Sequence, residues 1–258
     1  MTRPVKLALA TTLLASLSFL PGCSEAAPPS RPGVLKTLEA QGLTIVGGFQ
    51  SAPDVQAFAG AAGGRPVAVY VLKDGSAIVG TRVGANGAAI DEAQLSKLVT
   101  GPMGAKAWSD LAQAAWIQDG KPDAPKILYV FTDANCPYCH QFWEAARPWV
   151  NSGKVQLRHV MVGVIRADSP AKAAAIMTAK DPSAALLQNE LNQTRGGIPA
   201  LASIPPGVAK KLQANQALME SLGFSGTPGI VGKQPNGELQ KVNGMPSAGA
   251  LEALLGPR

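Results

Sequence analysis

Hydrophobic and polar positions change their rhythm along the chain, and each rhythm predicts an element. Residues 126–132, Lys-Ile-Leu-Tyr-Val-Phe-Thr, form a near-continuous apolar run rich in β-branched and aromatic side chains. Such a run predicts a strand buried on both faces. It stops at Asp133-Ala134-Asn135, and Cys136-Pro137-Tyr138-Cys139 follows. From there to about Trp149, the residues Phe142, Trp143, Ala146 and Val150 recur at helical spacing, with Pro148 near the helix end. Val155 to Gly163 predicts the next strand. Residues 170–222 are rich in Ala, Leu and Gln and predict helices, broken at Gly196-Gly197 and Pro205-Pro206. Gly226-Thr227-Pro228-Gly229 leads into a strand at Ile230-Val231. Asn236-Gly237 turns a hairpin, Glu238 to Val242 returns, and Ser247 to Leu255 predicts a closing helix.

The N-terminal half reads differently. Val34 to Gln41 predicts a short helix ending at Gly42, and Leu43 to Phe49 and Pro66 to Leu72 predict strands. Asp74-Gly75 is a hairpin signal, with Ser76 to Val83 as the returning strand. An α+β unit of roughly sixty residues buries little surface alone, which favours association with a copy of itself. Asp91 to Val99 and Gly104 to Gln118 predict helices. In the second, Trp108, Leu111, Ala115 and Trp116 share one face and are expected to pack against a neighbouring domain. Asp119 to Pro125 is a turn-rich boundary. The order β-α-β-helices-β-β-α beyond it predicts a thioredoxin-like catalytic domain over 123–258, with a helical insertion at 166–223. An α+β dimerisation domain at 27–100 and a linker helix at 101–122 precede it, so the fold class is mixed α+β and α/β.

The first residues change the compartment. Arg3 and Lys6 precede an uninterrupted run of apolar, Ser and Thr residues from Leu7 to Leu20, too short to span a bilayer and suited to a signal-peptide core within residues 1–26. Two cleavage sites are open. One lies before Cys23, where Leu20-Pro21-Gly22-Cys23 resembles a bacterial lipobox and makes Cys23 a lipidation site. The other follows Ser24-Glu25-Ala26. Residues 24–33 read as a flexible tether. Export places the mature chain in an oxidising compartment, where thiol chemistry matters.

Composition narrows the function classes. Of 258 residues, 46% are hydrophobic and 16% charged, which excludes a wholly disordered chain. The charge of +6 is spread thinly, with no Lys/Arg cluster, so nucleic acid is excluded as a partner. There are three cysteines, and once Cys23 is set aside one C-x-x-C pair remains. A bridge across two residues adds little chain-entropy stabilisation, so this pair is chemical rather than structural.

The chemistry follows from position. A strand feeding a C-x-x-C at a helix start puts the first sulfur beside unpaired N–H groups and the positive end of the helix dipole. Pro137 suits the first helical position because it needs no N–H partner there. Cys136 is therefore expected to be the exposed, low-pKa nucleophile, and Cys139, pointing inward, the resolving thiol. Thr227-Pro228, entering the last hairpin, is expected to form a loop beside the cysteines. With Pro137 and Tyr138 it supplies the substrate-facing residues. No cofactor or metal is expected. Three other readings compete. Cys136-Pro-Tyr-Cys139-His140 matches the c-type haem attachment string, but a buried strand enters it. Cys136, Cys139, His140 and His159 would be a crowded zinc set. The N-terminal unit and a cleft between protomers could serve as a chaperone-like binder of unfolded exported proteins. His140 is expected at the solvent side of the site, and His159 to be an ordinary strand residue.

The segment Phe131-Thr-Asp-Ala-Asn-Cys-Pro-Tyr-Cys-His-Gln-Phe-Trp143 resembles the bacterial periplasmic thiol:disulfide interchange proteins of the DsbC/DsbG family, and its Pro137-Tyr138 dipeptide favours the DsbG branch. Ala146–Val150, Ser152–Arg158, Val162–Ile165, Ser169-Pro-Ala171, Ala173–Ile176 and Lys180–Pro182 extend the likeness, and Trp108, Trp116 and Asp119-Gly120 resemble its linker helix. The resemblance implies a V-shaped homodimer joined through the N-terminal domains and a membrane reductase of the DsbD type that keeps the dithiol reduced. It implies disulfide isomerisation, reduction of sulfenic acids on exported proteins, and chaperone activity. It also implies Cys136 as nucleophile, Cys139 as resolving thiol and Thr227-Pro228 as the substrate-side loop. Two features depart from the pattern: Cys23, and His140 in place of a lysine.

Overall fold

The computed structural model of the chain describes residues 31–234 and 237–257. The expected signal peptide, Cys23 and most of the expected tether lie outside the described residues, as does Asn236 of the expected hairpin turn.

Helix α1 (Gly33–Ala40) lays Leu35 against Val69 and Val71. The four strands β1 (Leu43–Phe49), β2 (Gln56–Ala62), β3 (Arg65–Val71) and β4 (Ala77–Gly80) form an antiparallel meander in that order. Strand β2 is absent from the sequence expectation because Gln-Ala-Phe-Ala-Gly-Ala-Ala holds no β-branched residue. Its small side chains have a use: a Cβ at Gly60 would lie 2.6 Å from the Thr44 carbonyl oxygen, so only glycine lets β1 approach there. Strand β4 is shorter than the expected Ser76–Val83. Past its end, Arg82 turns to Asp91, donating from Nε and Nη2 at 2.8 Å each. Tyr70 Oη and Ser51 Oγ also donate to Asp91, at 2.9 and 3.2 Å. Asp91 is thus a buried acceptor for three side chains rather than a helix cap.

Helix α2 (Glu92–Leu95) continues through a π-helical turn (Ser96–Thr100) into α3 (Gly101–Gln113). The helix expected over Gly104–Gln118 therefore ends early. Ala114 turns extended, and Trp116–Asp119 becomes strand β5. The tertiary edge of the next sheet competes with helical periodicity here, because it offers β5 backbone partners from Leu157 to Val160. Trp108 stays on the helix and meets Tyr129 edge-to-face at 5.0 Å, whereas Trp116 lies under the Arg158 guanidinium at 4.4 Å.

Beyond the boundary come β6 (Lys126–Asp133), α4 (Pro137–Asn151), β7 (Val155–Val162), α5 (Ser169–Thr178), α6 (Pro182–Leu191), α7 (Pro206–Ser221), β8 (Gly229–Lys233), β9 (Leu239–Asn243) and α8 (Ala248–Leu255). The five-stranded sheet has the order β5-β7-β6-β8-β9, with β6 and β7 parallel and the other pairs antiparallel. Central strand β6 is buried on both faces, as its apolar run requires. Leu128 and Val130 pack on Phe142, Ala146 and Trp149 of α4 and Leu254 of α8. Tyr129 and Phe131 pack on Leu111, Met219 and Phe224. Helices α5 to α7 enclose a third cluster around Met161, Ile176, Leu186 and Leu212. This packing fixes where β6 ends, and the two cysteines follow at that point.

Candidate dithiol site at a helix start

Cys136 is the N-cap of α4. Its backbone is extended (φ −80°, ψ 115°), and its sulfur accepts the Cys139 N–H at 3.2 Å, the position a Ser or Asp oxygen takes in an ordinary cap. Pro137 fills the first helical position, and the His140 N–H donates to the Cys136 carbonyl at 3.2 Å to close the first turn. Both cysteines are free thiols. Thr227-Pro228 is a cis peptide, and the Thr227 carbonyl accepts from Cys136 Sγ at 3.4 Å. Gly229, next in the chain, has no room for a side chain: a Cβ would sit 2.8 Å from the Phe224 ring. The loop thus passes close to the Cys136 sulfur.

Electrostatics separates the two sulfurs. Hydrogen bonding from the Cys139 thiol, opposed by burial and helped by the Thr227 hydroxyl and the backbone N–H groups of Cys139 and Tyr138, brings the Cys136 thiol from 9.0 down to about 6. The Thr227 hydroxyl has no other partner among the described residues, which leaves it free to donate to a thiolate. Burial and the charge on Cys136 push Cys139 well above the ordinary thiol range. At neutral pH a thiol titrating near 6 is about nine-tenths thiolate, against about one-hundredth at 9. The pair is therefore asymmetric, with the thiolate favoured at Cys136 and the thiol at Cys139.

One expectation needs correcting. Cys136 is not exposed: only 3% of its surface is accessible. The Thr227-Pro228 loop covers it, while neighbouring Pro137 is exposed and Tyr138 is 57% exposed. Of the four residues expected to face a substrate, Thr227 meets the sulfur through its carbonyl, Pro228 is buried next to it in the chain, and Pro137 and Tyr138 are exposed.

A polar lattice that the sequence reading missed holds the turn from below. Asp133 accepts from Asn135 N, Ser169 Oγ, Val164 N and Ile165 N, at 2.6 to 2.9 Å. Four donors satisfy a buried carboxylate. Lys172, buried on α5, donates to Asn135 Oδ1 and Gly196 O at 2.7 Å each. Asn189 on α6 donates to the Ala134 carbonyl at 3.2 Å. The Asp-Ala-Asn string looks like a strand stop, and no local signal marks Lys172 or Asn189. Only the docking of the helical insertion brings them under the cysteines.

Both histidines also depart from expectation. His140 turns inward, its Nδ1 2.9 Å from Glu190 Oε2, rather than to solvent. His159 is no ordinary strand residue. It is buried, with Nδ1 2.8 Å from Thr132 Oγ1 and Nε2 3.4 Å from Asp119 Oδ2. Asp119 also takes the Arg147 guanidinium. Burial pushes the Asp119 carboxyl up, but His159 and Arg147 outweigh it and hold the group well below the usual carboxylate range. Among the described residues no three Cys, His, Asp or Glu side chains gather as a metal site.

Comparison with known proteins agrees with this geometry. A family model for a thioredoxin-like domain matches residues 113–257, beginning inside α3 and before the expected boundary at 123. The thiol:disulfide interchange protein DsbG of Pseudomonas aeruginosa is 39% identical over 248 residues, spanning 96% of this chain and 97% of that protein. The chain belongs to the DsbG-type thiol:disulfide interchange proteins. The DsbG of Escherichia coli strain K12 is 38% identical over 226 residues, 87% of this chain and 91% of that one. Among solved structures, the catalytic domain of Proteus mirabilis ScsC overlaps with a TM-score of 0.47 at 23% identity, covering 58% of this chain and 93% of that chain. As a DsbG-type protein the chain is an enzyme of thiol–disulfide exchange, and its C-x-x-C-H string lies in a thioredoxin-like domain rather than a helical cytochrome.

Proposed function

We propose that Cys136 is the attacking thiolate and Cys139 the resolving thiol of a periplasmic oxidoreductase and isomerase acting on exported proteins. The observation that carries this reading is the asymmetry of the pair: Cys136 Sγ caps the helix on the Cys139 N–H and its pKa is lowered chiefly by its hydrogen bond with the Cys139 thiol, whereas Cys139 is buried and its pKa raised. The Cys136 thiolate attacks a substrate disulfide. A bond forms between Cys136 and one substrate sulfur, and the other substrate sulfur leaves as a thiolate and takes up a proton. If Cys139 then loses its proton and attacks Cys136, the substrate is released with two electrons gained and Cys136–Cys139 becomes a disulfide. If the substrate's own thiolate attacks instead, the substrate disulfide is rearranged and no electrons are transferred. A sulfenic acid enters the same path, with water as the product lost when the mixed disulfide forms.

Pro137, Tyr138, Thr227 and Pro228 bind the substrate chain beside the sulfur. Because Cys136 is covered, binding shifts the Thr227-Pro228 loop or the Tyr138 side chain. The oxidised pair returns to the dithiol by exchange with a reducing partner, a membrane reductase of the DsbD type. Residues 27–100 form the homodimer interface, supported by the exposed apolar residues Val46, Ile78, Val79 and Val83 around the small sheet. The signal peptide exports the chain, with Cys23 as a lipid anchor if cleavage precedes it. The exposed apolar surface also supports a chaperone-like role for the paired N-terminal units.

The decisive experiment traps substrates with Cys139→Ala in a periplasmic extract. Mixed disulfides through Cys136 are expected to accumulate and dissolve with reductant. Their absence, with alkylation of wild-type Cys136 titrating at the ordinary thiol value, would overturn the assignment.

A further inference from the structure

Glu190 is a carboxylate in an unusual place. It lies near the end of α6, only 3% exposed, facing the first turn of the helix that carries both cysteines. One of its oxygens is 2.9 Å from His140 Nδ1, and the other accepts from Asn189 Nδ2 at 3.3 Å. The next residue back, Asn189, holds the Ala134 carbonyl on the strand side of the same turn. Two adjacent residues of α6 thus grip the Cys-Pro-Tyr-Cys turn from both ends.

His140 follows Cys139 directly and completes the turn that Cys136 caps. Its side chain is 17% exposed, because Trp143 stacks beside the ring at 6.0 Å with a 16° interplanar angle. The Arg147 guanidinium covers Trp143 in turn, 4.2 Å from the ring centroid. Among the described residues, the charged groups around the imidazole are Glu144 and Arg147 on its own helix and Glu190 on α6. Glu144 Oε1 is 3.5 Å from Nε2. Both ring nitrogens therefore face carboxylate oxygen, Glu190 at hydrogen-bond distance and Glu144 at longer range.

A buried anion beside the active turn opposes a second anion on Cys136, and at 3% exposure Glu190 is poorly screened by solvent. We propose that His140 is a positioning residue for the dithiol: its proton cancels the charge of Glu190 and its bond to that carboxylate fixes the turn, so that the Cys136 thiolate is not repelled. This rests on the reading of Cys136 as the nucleophile and adds the group that keeps its charge favourable. Removing the positive charge at this position uncovers Glu190 and makes the thiolate costlier.

The test replaces charge while keeping a donor for Glu190. In His140→Gln the amide can still bond Glu190, but the compensating charge is gone. Thiolate ultraviolet absorbance and the equilibrium with glutathione are measured for wild type, His140→Gln, His140→Lys and the double variant His140→Gln/Glu190→Gln. The expected result for His140→Gln is a thiolate equilibrium shifted about threefold to tenfold toward the thiol, with the glutathione equilibrium moved by a similar factor toward the disulfide. His140→Lys restores the wild-type value, and the double variant returns to within about twofold of it, since removing both charges also removes the repulsion. A purely structural role predicts loss of folding stability with an unchanged Cys136 titration. An unshifted His140→Gln, or a double variant no closer to wild type than His140→Gln, overturns the inference. These outcomes differ from failure of the functional reading, in which wild-type Cys136 itself titrates as an ordinary thiol.

Discussion

Around the four-stranded sheet the buried clusters are small: Leu35, Val69 and Val71 in one, Ala57, Ala68 and Tyr70 in the other, with Ala59 also buried. Around the five-stranded sheet three clusters are buried, with Trp149, Tyr129, Phe131 and Phe142 fully enclosed. The polar groups differ as well. The small sheet buries one carboxylate, Asp91, and satisfies it locally from Ser51, Tyr70 and Arg82. The large one buries Asp133, Asn135, Lys172, Asn189 and Glu190, all next to the cysteines. Each buried polar group needs partners, so a fold carries that many only where a large apolar core offsets their desolvation. The comparison teaches a division of labour. The half with the deep core can hold an ionised sulfur in a fixed place, and the half with the thin core keeps apolar surface available for association.

The largest effect that would test this division is on chemistry. Cys136→Ser is expected to reduce thiol exchange to the background rate while self-association and melting temperature stay as in wild type; linked loss of both would break the separation. Next comes assembly. Ile78→Asp, on the exposed edge of the small sheet, should weaken self-association at least about tenfold, as measured by sedimentation, because burying an unpaired charge at an apolar interface costs several kcal/mol. The pH profile of Cys136 alkylation should not move.

The third effect compares the two halves by stability. Lys172→Met leaves Asn135 Oδ1 and the Gly196 carbonyl without a donor, and should cost about 3–5 kcal/mol in denaturant unfolding. Leu35→Ala, in the thin core, should cost about 2–4 kcal/mol. If Lys172→Met is neutral, the lattice does not support the site. The smallest effect is on pH. The Cys136 value is depressed in the folded state, so its contribution to the reduced protein is complete above the unfolded thiol value and is lost as pH falls from 9.0 through about 6. Alkylation rate should fall with a midpoint near the lower figure, and a midpoint near the upper one would remove the electrostatic argument.

Much of the site was legible because its logic is local. The apolar run of β6, the turn residues after it, and Pro137 between two cysteines are contiguous, and strand burial and helix capping act over a few residues. The Thr227-Pro228 loop was legible only as a position in an element order. The lattice was not legible at all. Lys172 is one lysine in an alanine-rich helix, and Asn189 and Glu190 look like solvent-side helix residues until α6 packs. Trp116 misled for the same reason: its helical spacing was real, but the edge of β7 supplied a stronger set of backbone bonds.

Chain chemistry alone settled that a thiol would stand at a helix start behind a buried strand, since that needs only the order of apolar, turn and capping residues. Folding in three dimensions decided which groups surround it. The loop cover over Cys136, the Asp133–Lys172 lattice and the His140–Glu190 pair join segments up to 91 positions apart. No periodicity along the chain encodes such partners, because their energy exists only once the intervening core has closed around them.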